Sequence, residues 1–450
     1  MAYGEQLLSK VIDANDPAAL TRYDIREEHF GTEAERKAYR FIRDYAAANG
    51  GAAPDYRTVA AEIAGFTYMP EVGDSFEWLA RKVKEDAGKR SQYAFFTGRE
   101  FNEKYASLPP EKFAEWVTEE LAKITDRTRV RTKVGTDLKR DTDAFLEEYR
   151  KRKEGRSFKI WRSKFPTINR EIGGYLSGNM YTWYARPGRG KSVITMEEAI
   201  EAAFQGANAL AWVMEMSRYE WMARAYTSIS ARLGVCEAAI DGVIQRAGFD
   251  NMALLRGQLA EEFEASFREF IGRIGDAMPG NIVIRSVDDE DFGSRRVRDL
   301  EADILATNAD VVLVDPFYYM DYEANTSKTT GGDAAETSKK LRRLAGRYGV
   351  TLHVITQADE VKDEKDEDGT RELRPPNRNE IKKTKAVLED ATNVFGIDTI
   401  ARDGLGVIDI GKGRNGGEGA RIELMYLPNY GIVKEMETGV EAAERFTLAF

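Results

Sequence analysis

Apolar positions along the chain change their spacing once, near residue 157. Before that point they recur at helical intervals. Thr32 and Glu35 form a capping-box pair, in which hydroxyl and carboxylate satisfy backbone N–H groups at a helix start. Behind it Ala38, Phe41, Ile42 and Tyr45 fall on one face, and Asn49-Gly50-Gly51 supplies a stop. Pro54-Asp55 opens another helix carrying Val59 and Ile63. Pro109-Pro110 precedes a third with Phe113, Trp116, Val117, Leu121 and Ile124 in register. No strand-like alternation interrupts this stretch. Residues 1–128 are therefore expected to form a small all-helical N-terminal domain.

Residues 129–156 read as a linker. The polar stretch 129–137 contains Gly135, and 138–153 predicts a short amphipathic helix with Leu138, Phe145, Leu146 and Tyr149 on one side. That helix could pack on its own domain or dock on a neighbouring subunit; pattern alone leaves both readings open.

From 157 to 450 short apolar runs alternate with helical patterns. Met180–Tyr184, Ala209–Met214, Ile282–Ile284, Val311–Val314 and Leu352–Thr356 predict strands, with helices between them. Further β-like runs fall at 394–397, 406–410 and 420–427. Strands alternating with helices are the signature of an α/β fold with a mostly parallel sheet. The run Asp359–Asp368 is strongly charged and reads as a solvated loop.

One apolar run leads into chemistry. Met180–Tyr184 continues into Ala185-Arg186-Pro187-Gly188-Arg189-Gly190-Lys191-Ser192, and a helical pattern follows at once. Glycines let successive backbone N–H groups curl around phosphate oxygens, and a helix N-terminus adds partial positive charge at the same point. Lys191 can reach the β- and γ-phosphates of a nucleoside triphosphate, and the Ser192 hydroxyl can ligate Mg²⁺. Ala185 stands where the motif usually has its first glycine. The segment predicts a P-loop.

A P-loop calls for a carboxylate at the end of another buried strand. Val311–Val314 ends in Asp315, at the carboxyl edge where α/β sheets place ligands. An Asp that only starts a turn before Pro316 is the plain alternative; beside a P-loop, metal binding is favoured. Hydrolysis also needs a group to orient or deprotonate water. Ala209–Met214 ends in Glu215, close to Ser217, and either residue could instead cap the next helix. Leu352–Thr356 delivers Gln357, whose amide suits sensing of a γ-phosphate or water. His353 on that strand reads as a satisfied buried histidine.

Composition adds exclusions. Apolar residues make up 42% and charged residues 32% of 450, as in soluble globular proteins. No run is long and apolar enough to span a bilayer, and the N-terminal residues lack a signal-peptide pattern, so a cytoplasmic location is expected. The single Cys236 excludes an internal disulfide, and one Cys with two His (His29, His353) leaves too few ligands for a zinc ribbon. The net charge of −10 argues against nucleic-acid binding over the whole surface but permits a local basic channel.

The order Ala185 to Ser192, Met214-Glu215-Met216-Ser217, Val314-Asp315 and Thr356-Gln357 resembles the DnaB-like replicative helicases, especially phage versions. The resemblance spans about 165 to 434, starting at Phe165-Pro166-Thr167-Ile168-Asn169 and Ile172-Gly173-Gly174, and includes a helical N-terminal domain and linker in the expected order. It implies a RecA-like ATPase core, ATP and Mg²⁺ as cofactors, and a homohexameric ring moving 5′ to 3′ on single-stranded DNA in a bacterial or phage-infected cytoplasm. It makes Glu215 the catalytic glutamate and Arg224 a nucleotide contact. It makes Arg414 an arginine finger for the neighbouring subunit, with Lys412 its companion; without it, Lys412 and Arg414 are a basic hairpin turn. Lys382, Lys383 and Lys385 occupy the place of the DNA-gripping loop, where the family's usual Asp-Leu-Arg-Glu-Ser-Gly is replaced by a more cationic run. Two other departures, Pro316-Phe317-Tyr318 after Asp315 and Asp359-Glu360 after the Gln357 strand, are expected to leave the core chemistry untouched. The missing zinc ligands imply that primase, like the helicase loader, is a separate chain. A RecA-like DNA-dependent ATPase that does not unwind, and a structural ring with inactive sites, are the alternatives.

Overall fold

The computed structural model describes residues 3–436 except 130–134, 136, 140–141, 156, 241–242, 326–330, 360–370, 382–384 and 415. The chain forms two compact units, Met1–Ala144 and Phe145–Phe450.

Among its described residues the first unit has helices and no strand: α1 (Tyr3–Asp13), α2 (Ala18–Arg22), α3 (Glu33–Ala48), α4 (Tyr56–Glu62), α5 (Phe76–Thr97), α6 (Arg99–Ser107) and α7 (Pro110–Thr128). The sequence marks its boundaries. Thr32 accepts from the Glu35 amide and Glu35 accepts from the Thr32 amide, the reciprocal capping box expected at α3; such a cap contributes about 1 kcal/mol. Leu7, Leu8, Val11, Ala38, Ile42, Val59 and Leu79 build the core of this unit. Helices α6 and α7 contribute differently. Phe101, Phe113 and Trp116 meet Phe95 and Phe96 of α5 in an aromatic cluster, in which Phe96 and the nearby Tyr105 are exposed.

Helix α8 (Thr142–Lys153) is shorter than the sequence pattern suggests, and Leu138 lies in a turn ahead of it. None of its side chains is buried; Phe145, Leu146 and Tyr149 are all exposed.

The second unit is α/β. It begins with β1 (Ile160–Trp161), α9 (Pro166–Ile172) and β2 (Tyr175–Leu176), then alternates through β3 (Met180–Ala185), α10 (Lys191–Phe204), β4 (Asn208–Val213) and α11 (Arg218–Leu233). A small hairpin, β5 (Cys236–Ile240) and β6 (Val243–Ala247), precedes α12 (Asn251–Arg256) and α13 (Glu261–Ala277). There follow β7 (Asn281–Ser286), α14 (Val297–Thr307), β8 (Val311–Asp315), α15 (Gly332–Tyr348), β9 (Thr351–Gln357) and α16 (Ala386–Asp390). The last strands are β10 (Asn393–Ile400), β11 (Leu405–Gly413), β12 (Arg421–Leu427) and β13 (Ile432–Glu435).

Nine of these strands make one sheet in the order β13-β12-β11-β10-β3-β9-β8-β4-β7. From β10 to β7 every pairing is parallel; β10 to β13 form an antiparallel extension. The central strands are apolar runs because both faces are covered. One face packs Trp183, Ile194, Ile355 and Phe395, the other Leu210, Trp212, Leu341 and Val354. Each such side chain contributes about 1.5–3 kcal/mol on burial. His353 is part of this packing, as expected. Trp183 Nε1 donates to its Nδ1 at 3.0 Å, and burial pushes its pKa down to about 3, so the ring is neutral.

Candidate active site

Parallel pairing puts the carboxyl ends of β3, β9, β8 and β4 side by side. Ala185 is level with Gln357, and Val213 with Asp315. The turn after β3 and the chain beyond β4, β8 and β9 therefore open on the same edge.

After β3 the chain turns through Gly188 and Gly190, both with left-handed φ (68° and 84°). Open space lies where a Cβ on Gly188 would be, and a Cβ on Gly190 would come within 2.8 Å of the Tyr426 hydroxyl. Glycine is thus required at both positions, once for backbone angle and once also for room. Ala185 needs no such freedom: it is the buried last residue of β3. Gly190 stands at the N-terminus of α10, whose unpaired N–H groups face the turn. A cavity of about 640 Å³ opens there, and Lys191, Ser192, Glu215, Arg224 and Tyr426 are among its walls. That volume is in the range of small-molecule sites.

Lys191 is 8% exposed. Burial pushes its pKa down, while the nearby Asp315 and Glu215 carboxylates favour the charged ammonium. Asp315 is 4% exposed; burial raises its carboxyl to about 6, against a hydrogen bond from Ser192 and the charges of Lys191 and Arg224. Its Oδ1 is buried and has no hydrogen-bond partner among the described residues. A buried carboxylate oxygen without a partner among the described residues, with the Ser192 hydroxyl close by, fits a divalent cation held beside a nucleotide's phosphates.

Glu215 lies just beyond β4. The capping alternative falls to its neighbour: Ser217 caps α11, in a capping box with Glu220. The Glu215 carboxylate instead accepts from the Tyr318 hydroxyl at 2.6 Å, and that hydroxyl lies 2.7 Å from Gln357 Oε1. The Pro316-Phe317-Tyr318 departure, expected to leave the core chemistry untouched, thus places Tyr318 against two of the expected site residues. Tyr318 sits in a short turn after β8, the strand between β9 and β4, so it reaches both neighbours. Spacing carries no signal for it, because the contact depends on strand order.

The remaining expected site residues divide. Arg224 is half-buried and turns a guanidinium N–H toward Met216 Sδ at 3.6 Å. Arg186 is committed within the chain: it pairs with Glu380 at 2.5 Å and donates to the Arg374 carbonyl at 2.9 Å. Arg189 lines the cavity and lies 3.8 Å from the buried Asp398. Lys412 and Arg414 are remote from this edge. Lys412 pairs with Val394 near the start of β10, level with the first half of β3, roughly 10 Å back along the strand direction from Ala185 by strand rise. The Lys412 ammonium donates to the Leu388, Glu389 and Ala391 carbonyls at 3.0, 2.7 and 2.9 Å, and Arg414 donates to Glu389 O at 3.2 Å. Lys382 and Lys383 lie outside the described residues. Lys385 is exposed, donates to Asn379 Oδ1 at 3.1 Å and immediately precedes α16.

Strand order, glycine turn and carboxylate placement together decide the comparison with known proteins. Residues 156–362 match the AAA domain family model, a P-loop ATPase family. The structure of a DnaB-like replicative helicase, described with its interactions with primase, superposes with a TM-score of 0.67 over 97% of this chain and 100% of that one, at 17% identity. The fold is DnaB-like. The separately solved ATPase domain of a second helicase aligns with a TM-score of 0.50 over 67% of this chain and 100% of that domain, also at 17% identity. No curated protein matches the chain in sequence. The DnaB-like fold thus includes a large, mostly parallel RecA-type sheet and a helical N-terminal unit, and no described helix is long and apolar enough to cross a membrane.

Proposed function

We propose that the chain is a Mg²⁺- and ATP-dependent replicative DNA helicase acting as a homohexameric ring. The observation that carries this is the meeting of Lys191, Ser192, Asp315, Glu215 and Gln357 at one sheet edge within a DnaB-like fold. Lys191 and the Gly188–Ser192 backbone hold the phosphates, and Ser192 with Asp315 holds Mg²⁺, whose charge offsets negative charge on the transferring phosphoryl group. Glu215 is the base that orients and deprotonates water, and Gln357 senses the terminal phosphate. Arg224 contacts the nucleotide.

Arg414 is the arginine finger of the next subunit's site, with Lys412 beside it. Their distance along the sheet from their own P-loop supports action in trans. The exposed apolar face of α8 supports contact with a neighbouring chain. Lys382, Lys383 and Lys385 grip single-stranded DNA through its phosphates, with travel 5′ to 3′. The helical unit serves as a collar and docks a separate primase and a loader, in the host cytoplasm.

A forked duplex with a 5′ tail tests the reading. Purified protein with ATP, Mg²⁺ and its loader should displace the strand, and Lys191→Ala should not. Hydrolysis without displacement would leave a DNA-dependent ATPase and sink the helicase; no hydrolysis at all would sink both.

A further inference from the structure

The Tyr318 hydroxyl has one proton and lies 2.6 Å from the Glu215 carboxylate and 2.7 Å from the Gln357 amide oxygen. A carboxylate can only accept, so the phenol proton belongs to Glu215. With that proton on the Glu215 side, the phenol oxygen and Gln357 Oε1 at 2.7 Å have no hydrogen between them, and a half-turn of that amide presents its N–H₂ group in place of its oxygen. The array runs in one direction: Gln357 N–H to Tyr318 O, and Tyr318 O–H to Glu215. Burial and the neighbouring Glu215 and Asp315 charges push the Tyr318 pKa up, so the phenol keeps its proton.

The turn that carries Tyr318 is anchored independently of the hydroxyl. Phe317 is 1% exposed in the sheet's core, 5.3 Å from the Tyr322 ring, and Met320 is buried as well. Tyr318 is thereby held just beyond the end of β8, between the two strands whose ends it bonds. Without it, Glu215 and Gln357 would be held by separate elements.

On the ATPase reading above, we propose that Tyr318 is a positioning residue that fixes the Glu215 carboxylate for its water and ties its orientation to the Gln357 amide. When Gln357 turns toward a terminal phosphate, the change passes through the phenol to the base. A nucleotide lacking that phosphate gives Gln357 nothing to turn to. Tyr318 therefore acts on turnover and not on nucleotide affinity.

Tyr318→Phe tests this, since it keeps the ring and removes only the hydroxyl. Steady-state ATPase is measured for wild type, Tyr318→Phe, Gln357→Ala, the double variant and Lys191→Ala. A hydrogen bond made in the working site corresponds to roughly a three- to tenfold fall in kcat. The expected result is that fall in Tyr318→Phe with KM unchanged, and a double variant no slower than Gln357→Ala alone. An unchanged kcat, a rise in KM in place of the fall, or losses that multiply in the double variant would each overturn the coupling. Wild type no faster than Lys191→Ala would overturn the ATPase reading and the coupling with it; active wild type with Tyr318→Phe unaltered overturns the coupling alone.

Discussion

The two ends of the central strands are finished differently. At the carboxyl end, Lys191 and Glu215 line a cavity, and Asp315 beside them keeps a buried oxygen with no hydrogen-bond partner among the described residues. At the other end, near the start of β10, Lys412 has three backbone carbonyls and Arg414 shares one of them. Among the described residues the first arrangement leaves a buried carboxylate oxygen short of a partner, so a ligand with phosphates and a cation would lower its free energy. The second is already satisfied by carbonyls at and just past the end of α16, where a cation is favourable in its own right. If Arg414 works in trans, it must leave or share that carbonyl. The basic hairpin would then be parked in the lone chain and released on assembly.

Mixing subunits breaks or sharpens this contrast most strongly. Lys191→Ala and Arg414→Ala chains should each be nearly inactive alone, since a finger is worth roughly 10³–10⁵ in rate. Mixed rings contain interfaces where an intact P-loop meets an intact Arg414, and ATPase activity should reappear there. Absence of recovery in rings demonstrated to be mixed would leave Arg414 as a helix-end cation and nothing more.

Most of the carboxyl-end site is legible in the sequence because its signals are contiguous. A glycine turn between an apolar run and a helix needs no tertiary knowledge, and Asp315 and Gln357 each follow an apolar run directly. The predicted strands at Met180–Tyr184, Ala209–Met214, Val311–Val314 and Leu352–Thr356 differ from the observed ones by a residue or so at the ends. Tyr318 escapes such a reading because its partners lie 103 and 39 residues away and meet it only through the order β9-β8-β4. The carbonyl cluster around Lys412 is hidden for the same reason, as it depends on where α16 ends. The β5–β6 hairpin and β13 escape because four or five residues without clear alternation give no period to read. Apolar spacing places Leu138 in a helix, yet the helix begins at Thr142.

A smaller effect tests whether the carboxyl end is held in deficit. Burial raises the Asp315 carboxyl to about 6 from 3.8, so the folded chain holds a proton that the unfolded chain has released. The sign follows: without nucleotide, stability falls as pH rises from about 4 through about 6, by on the order of 3 kcal/mol, then levels off. Asp315→Asn removes the titration. Its thermal midpoint should exceed wild type at neutral pH, match it near pH 4, and gain less from Mg²⁺ with ATP. A variant less stable than wild type at neutral pH would mean that Asp315 is structurally paired after all.

The smallest effect concerns a cation belonging to neither end. Lys385 is exposed and donates to a neutral amide, Asn379 Oδ1 at 3.1 Å. Lys412, by contrast, is half-buried against carbonyls whose desolvation it offsets. Losing Lys385 should therefore cost the fold little, so a change in DNA affinity can be read directly. One phosphate contact removed lowers the slope of log affinity against log salt by about 0.7 for a single strand, whatever the base sequence. Lys385→Ala should show that shallower slope with ATPase in the absence of DNA unchanged. Lys412→Ala should instead lower the thermal midpoint, because the Leu388 and Ala391 carbonyls lose this donor and Glu389 O is left to Arg414. An unchanged salt slope in Lys385→Ala would remove this lysine from the DNA path, and a salt slope altered by Lys412→Ala would bring the parked hairpin into it.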